Sequence, residues 1–139
     1  MALVYTKKYK TVEDRIIIDT SIKFKNNAYK SKSTLIDTGA NISCISKKLV
    51  KKLNLVPVGA AKVSTPSGTA VLDKYIVNIS FKGKMLFPNV FVLESEIGNQ
   101  NIDLLIGMDI LKNTDITISN FDNHTQFSMR FPTSGNLEF

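Results

Sequence analysis

The chain has 139 residues, of which 43% are apolar and 22% charged, a size and composition that suit one globular domain and exclude a disordered segment. No apolar run approaches the roughly 18 residues of a membrane span, and the Lys-bearing start at 1–10 has no apolar stretch of leader length. The single cysteine, Cys44, excludes an internal disulfide and a cysteine-built zinc site, so a cytoplasmic protein away from any membrane is expected.

The net charge of +6 is unevenly spread. Residues 1–52 hold twelve basic and four acidic side chains, whereas the remainder holds six and eight. Sixteen of the eighteen cations are Lys, while base recognition and bidentate phosphate binding favour Arg. No dedicated nucleic-acid site is therefore expected, and solvated Lys faces account for the excess.

In chain order, most of the pattern reads as short strands. Residues 15–24 are β-branched and then alternate, and Asn26-Asn27 signals a turn. A second strand over 29–37 ends in the continuously apolar Thr34-Leu35-Ile36, as expected of a strand buried on both faces. Residues 46–53 form the one early helix, with Ser46 as N-cap, Leu49, Val50 and Leu53 on one face, and Lys47, Lys48, Lys51 and Lys52 on the other. Residues 61–72 read as a hairpin about the turn Thr65-Pro66-Ser67-Gly68. Strands follow at 75–81 and 85–93, separated by a turn at Lys82-Gly83, and Gly98-Asn99 is a further turn. The apolar run 102–106 is broken by Gly107, 108–112 has room for one or two helical turns, and 116–118 and 126–131 close the series. Short, closely spaced strands with little helix predict an all-β, barrel-like domain over 1–139, with its core at about 15–131.

One segment carries chemistry. In Leu35-Ile36-Asp37-Thr38-Gly39-Ala40 a carboxylate directly follows a buried strand, a costly placement unless the group is hydrogen-bonded or functional. Gly39 permits the sharp turn that aims amide donors back at that carboxylate. An Asp opening an ordinary turn fits the tripeptide too, and chance supplies one in about 2% of chains this long, so context must decide.

That context is the stretch 33–45, S-T-L-I-D-T-G-A-N-I-S-C-I, which resembles the active-site segment of retropepsin-like aspartic proteases. Downstream, Leu104-Leu105-Ile106-Gly107-Met108-Asp109 resembles the second half of that family's signature, and the 61–72 hairpin falls where the family has its flap. The resemblance spans roughly 15–121 in order and spacing. It implies a closed, barrel-like acid-protease half with a β-hairpin flap and one or two short helices. It implies catalysis by Asp37, with Thr38 reaching across a two-fold interface and Gly39 orienting the carboxylate. Substrate contacts would come from Ala40, Asn41, the flap residues Thr65, Pro66, Ser67 and Gly68, and from Leu105 and Ile106. Gly107 would let the chain behind the active-site loop pass closely.

With one Asp-Thr-Gly per chain, the resemblance implies a homodimer that cleaves peptide or protein substrates without metal or cofactor. Departures are visible at Asn41 and Met108, where retroviral enzymes often carry an acid and an Arg, and in a flap tip with less Gly and no Tyr. Residues 3–5 and 126–131 are the candidates for strands that knit a dimer.

His124 stands without partners at metal or catalytic spacing, and Cys44 reads as a small core residue. Asp109 is expected to cap the short helix or bond local backbone, and Asp19 lacks the following Gly of an active-site motif. The competing functions are a catalytically idle dimerisation or peptide-binding module on the same fold, and a Lys-rich binder of acidic surfaces.

Overall fold

The computed structural model describes residues 2–82 and 84–139, and its architecture follows from how the apolar strands find neighbours on both edges. Among the described residues, ten strands, two short helices and two 3-10 turns follow one another along the chain. Strand β2 (Ile17–Phe24) turns at Lys25, which takes a left-handed φ of 54°, and returns as β3 (Asn27–Ile36) in antiparallel register, Ile22 opposite Tyr29. Short β4 (Cys44–Ser46) runs into α1 (Lys47–Lys52), where the Ser46 hydroxyl accepts the Leu49 amide at 3.2 Å and caps the helix as its sequence foretells. Strand β5 (Gly59–Thr65) pairs with β6 (Gly68–Phe81) as the hairpin expected to be the flap, and β6 continues into pairing with β7 (Met85–Ser95). β8 (Leu104–Ile106) precedes α2 (Met108–Leu111).

The strands β2-β3-β8-β4-β7-β6 are successive neighbours, and a further β2–β6 pairing closes them into a six-stranded barrel. β5 stays outside the ring as the outer strand of the β5–β6 hairpin. Closure leaves the barrel strands without open edges. β8 has β3 in parallel on one side and β4 antiparallel on the other. Ile18, Ile22, Ile45, Ile79, Phe81, Leu104 and Ile106 fill the interior at 0–1% exposure.

The expected strands at 61–72 and 75–81 are joined by one continuous β6. Asp73 and Lys74 stay extended because β6 changes partners there: Asp73 faces Ala60 in the flap, while Lys74 faces both Gly59 and Leu93. The turn at Gly98-Asn99 lies inside the 3-10 segment Glu96–Gln100, closed by Asn101 at φ 59°. Of the Lys82-Gly83 turn, Lys82 has φ 51°, and Gly83 lies outside the described residues.

A second sheet packs on the barrel, in the order β1 (Leu3–Lys8), β10 (Gln126–Phe131), β9 (Asp115–Ser119). The first and last strands thus pair with each other inside one chain, Tyr5 opposite Met129. Tyr5, Phe127 and Met129 are buried, and edge-to-face contacts join Tyr5 to Phe81 and Phe81 to Phe87, at ring centroid distances of 6.2 and 5.7 Å. Phe87 continues the series to Phe131 at 4.7 Å. Among the described residues no helix is long and apolar enough to cross a membrane.

Phe81 sits at the centre of that aromatic series, so Phe81→Ala is expected to cost about 3–5 kcal/mol in urea unfolding. In the same sheet the Ser134 amide, at 2.8 Å, and the Arg130 guanidinium hold the Asp115 carboxyl below its ordinary range. A lowered folded-state pKa stabilises above the unfolded carboxylate value, and the contribution is lost as pH falls through the folded value. Asp115→Asn should therefore narrow the stability gap to wild type as pH is lowered below about 4, in unfolding curves taken across acid pH.

Candidate active site

Asp37 is the first residue beyond β3, and its position is fixed from β8. The register puts Leu35 beside Leu105 and Ile36 beside Ile106, and the Asp37 amide then donates to the Ile106 carbonyl at 2.9 Å. The chain turns at once: the Ala40 amide donates to the Asp37 carbonyl at 3.3 Å, and the Gly39 amide donates to Asp37 Oδ1 at 2.9 Å. A carboxylate accepting a backbone amide this way is held in one orientation. Asp37 is half-buried, Thr38 and Gly39 are exposed, and Ala40 is half-buried.

The returning loop is pinned from beneath. The Met108 amide donates to the Ala40 carbonyl at 2.7 Å, and a Cβ on Gly107 would stand 2.8 Å from that oxygen and 3.1 Å from the carbonyl carbon of Ile42. Gly107 has φ −99°, an extended conformation open to any residue, so close approach rather than backbone angle demands glycine. Loop 37–43 therefore arches over the chain leaving β8.

The predicted site residues divide into two groups. Asp37, Gly39, Ala40, Leu105 and Ile106 converge at this crossing, with Leu105 half-buried and Ile106 wholly buried in the barrel. Asn41 lies exposed on the same loop. Thr65, Pro66, Ser67 and Gly68 form the exposed tip of the flap, with Thr65 Oγ1 donating to the Gly68 carbonyl at 2.7 Å and Gly68 at φ 122°. Thr65 and Ser67 border a hollow of about 570 Å³ whose other walls include Lys47, Asp73 and Glu94, and Asp37 is not among them. At the flap's base, burial and a 3.1 Å hydrogen bond to Glu94 push the Tyr75 hydroxyl up to about 12.

The carboxylate of Asp109 makes the local backbone bond expected of it, to the Ile110 amide, and more besides. Its Oδ2 accepts the Ser43 amide at 2.9 Å and its Oδ1 accepts the Ser43 hydroxyl at 2.8 Å, across 66 residues of sequence. Oδ1 also receives the neighbouring Ile110 amide at 3.0 Å, and the Ser43 hydroxyl in turn accepts the Gly107 amide at 3.1 Å. The sequence signal was the position of Asp109 two residues after the glycine. Ser43, at 0% exposure, carried none. Cys44 is an unpromising nucleophile, since burial and the carboxylates of Asp109 and Asp37 push its thiol up and disfavour the thiolate. The His124 ring Nδ1 stands 3.3 Å from the Asp122 carbonyl in the β9–β10 connection. Asp19 is exposed, 4.0 Å from Lys7. No three His, Cys, Asp or Glu side chains converge as a metal site among the described residues.

Residues 21–110, well over half of the chain and including the loop, the flap and β8, match the model of a family described as aspartyl protease. The chain belongs to the aspartyl protease family. Its fold is similar to that of a retropepsin-like aspartic protease from Rickettsia conorii, with a TM-score of 0.58 and 16% identity over 94% of this chain and 95% of that one. It is also similar to the simian foamy virus (mac) protease in solution, with a TM-score of 0.50 and 18% identity over 70% of this chain and 92% of that one. No curated protein sequence matches it. At these identities the structural likeness establishes the retropepsin-like fold: the closed barrel, the appended hairpin and the two short helices of this aspartyl protease family member.

The crossing of the loop over Gly107 yields a direct test. Gly107→Ala should destabilise the protein by about 1–3 kcal/mol, because the obstructing atoms are backbone and have little room to yield. Gly98→Ala, whose Cβ would meet only the Ser46 Cβ at 3.7 Å, should cost clearly less in the same denaturation series.

Proposed function

We propose that the chain is an aspartic endopeptidase active as a homodimer, in which the Asp37 carboxyls of two copies meet and activate one water. The observation that carries this reading is the Asp37 carboxylate itself, oriented by the Gly39 amide at the open end of the barrel, with one such motif in the chain. Acid–base hydrolysis of an amide needs one group to accept a proton and another to donate one, and a single carboxylate does not do both at once. A symmetric pair supplies both, since two carboxyls a few Å apart retain one proton between them.

In this mechanism the ionised Asp37 takes a proton from the water as its oxygen attacks the scissile carbonyl carbon. The protonated Asp37 of the second copy donates to the carbonyl oxygen. The tetrahedral diol then collapses with cleavage of the C–N bond and protonation of the leaving amine, returning the shared proton to the pair. Thr38, exposed in the single chain, is assigned the contact to the second copy's loop. Ala40, Asn41, the flap tip Thr65 to Gly68, and Leu105 are assigned to substrate, which favours extended peptides with apolar side chains, while Ile106, expected beside Leu105 in that role, is fully buried in the barrel and backs the site from within. The chain acts as one domain, its core at about 15–131. The terminal sheet is the second place where copies join, because β1 and β9 are its outer strands and Leu3, Val4 and Ile118 are exposed on them.

The test is cleavage of an unstructured protein between about pH 4 and 7 by wild type and by Asp37→Asn, which keeps the shape and removes the base. Loss of at least ~100-fold in the variant, with wild-type activity per chain rising with concentration, is the expected outcome. Equal cleavage by both proteins would overturn the assignment of Asp37. A sample shown to be dimeric that cleaves nothing would instead identify an idle peptide-binding module.

A further inference from the structure

Of the contacts beneath loop 37–43, those of Asp109 are more than the helix needs. An acid in the first turn of α2 has amides of its own helix within reach, and one of them, Ile110, does touch Oδ1. Both carboxylate oxygens are nevertheless committed to Ser43, one through its amide and one through its hydroxyl. The bonds have an ionised acceptor and are stronger than neutral ones. The Ser43 hydroxyl, having given its proton to Asp109, accepts from the Gly107 amide, so a single buried side chain ties the end of the loop to the chain passing beneath it.

The remaining ties lead from this point to the reacting group. Met108, next to Asp109, donates to the Ala40 carbonyl, and Ala40 is adjacent to Gly39, whose amide holds Asp37 Oδ1. There is no slack at Gly107 to absorb a shift, because the approach there is too close even for a methyl group. A displacement of Ser43 therefore reaches the Gly39 amide through a few short, stiff contacts.

We propose that Asp109 and Ser43 are a positioning pair for the catalytic loop, which fixes the orientation of the Asp37 carboxyl from the side opposite the substrate. The inference rests on the reading of Asp37 as the catalytic acid. Neither residue touches substrate, so their removal acts on the chemical step more than on binding.

The experiment uses the full chain with Ser43→Ala, Asp109→Ala, the double variant and Asp109→Asn, with kcat and KM expressed per folded dimer. Asp109→Ala is expected to lower kcat about 10- to 100-fold while KM moves less than about 3-fold, the size of effect that a small misplacement of a reacting group produces. Ser43→Ala should lose kcat in the same way, and the double variant should be no worse than the poorer single one, because the two act as a unit. Asp109→Asn, which keeps one acceptor for Ser43, should recover at least about 10-fold over Asp109→Ala. Ile22→Ala, a barrel-core change of comparable or greater cost in stability, should leave kcat per folded dimer unchanged. Unchanged kcat in Asp109→Ala, multiplying losses in the double variant, or an equal loss in Ile22→Ala would each overturn the proposal.

Amide hydrogen exchange separates this idea from the protease reading. In Asp109→Ala the Gly39, Ala40 and Met108 amides should exchange at least about 10-fold faster relative to β2 amides than in wild type, whether or not the protein cleaves anything. Uniform acceleration along the chain overturns the positioning pair, while a wild type that cleaves nothing overturns only the function proposed above.

Discussion

Everything at the candidate site depends on one close crossing, in which the chain leaving β8 passes under loop 37–43 at Gly107. Two backbone hydrogen bonds fasten it on either side of the glycine, Asp37 to Ile106 and Met108 to Ala40. The barrel supplies the frame for this crossing. β8 lies between β3, which delivers Asp37, and β4, which receives the chain after Ser43. The loop therefore bridges two strands that are held apart by the very strand it passes over, and its conformation is a consequence of sheet order.

That arrangement places a carboxylate at the edge of a dry core without orphaning it. Ile36 and Ile106 are buried at 8% and 0% exposure, while the next residue, Asp37, emerges half-exposed with an amide donor already in place. An unpaired charge deeper in the barrel would carry a heavy desolvation cost. At the mouth the group keeps access to water and to a second copy, which is what the proposed dyad needs. The flap departs from the same barrel through β6, whose inner half is fixed by β2 and β7 while its outer half has only β5 for company. The hairpin arm that is proposed to cover substrate is thus anchored at one end by the core and free at the other.

The Lys-rich first part of the chain finds its explanation on surfaces rather than at this site. α1 buries Leu49 and Val50 and leaves Lys47, Lys48, Lys51 and Lys52 exposed. Lys52 lies 4.9 Å from the ring centroid of Tyr29, and Lys7 lies 5.2 Å from that of Tyr9. Amphipathic stems covering aromatic faces account for part of the excess charge. Within the terminal sheet, β1 and β10 pair with each other in one chain.

Local pattern in the sequence was enough for most of the strands, though not for the short β4 (Cys44–Ser46), and for the helix at Ser46 and the turn at Thr65 to Gly68, because alternation, capping and turn chemistry are set by neighbours within a few residues. Asp37-Thr38-Gly39 and the apolar run before Gly107 were legible as two halves of one signature only through their resemblance to retropepsin-like proteases. The closure of β2 on β6, the partner change that makes β6 continuous at Asp73, and the pairing of the first strand with the last were decided only by tertiary structure. Each depends on which distant strand offers an open edge, and no short window of sequence holds that information. The same holds for Ser43 and Asp109. Nothing near Ser43 marks it, and its role arises because the fold brings the amide and hydroxyl of a buried residue to a carboxylate 66 positions away, where a buried donor must find an acceptor.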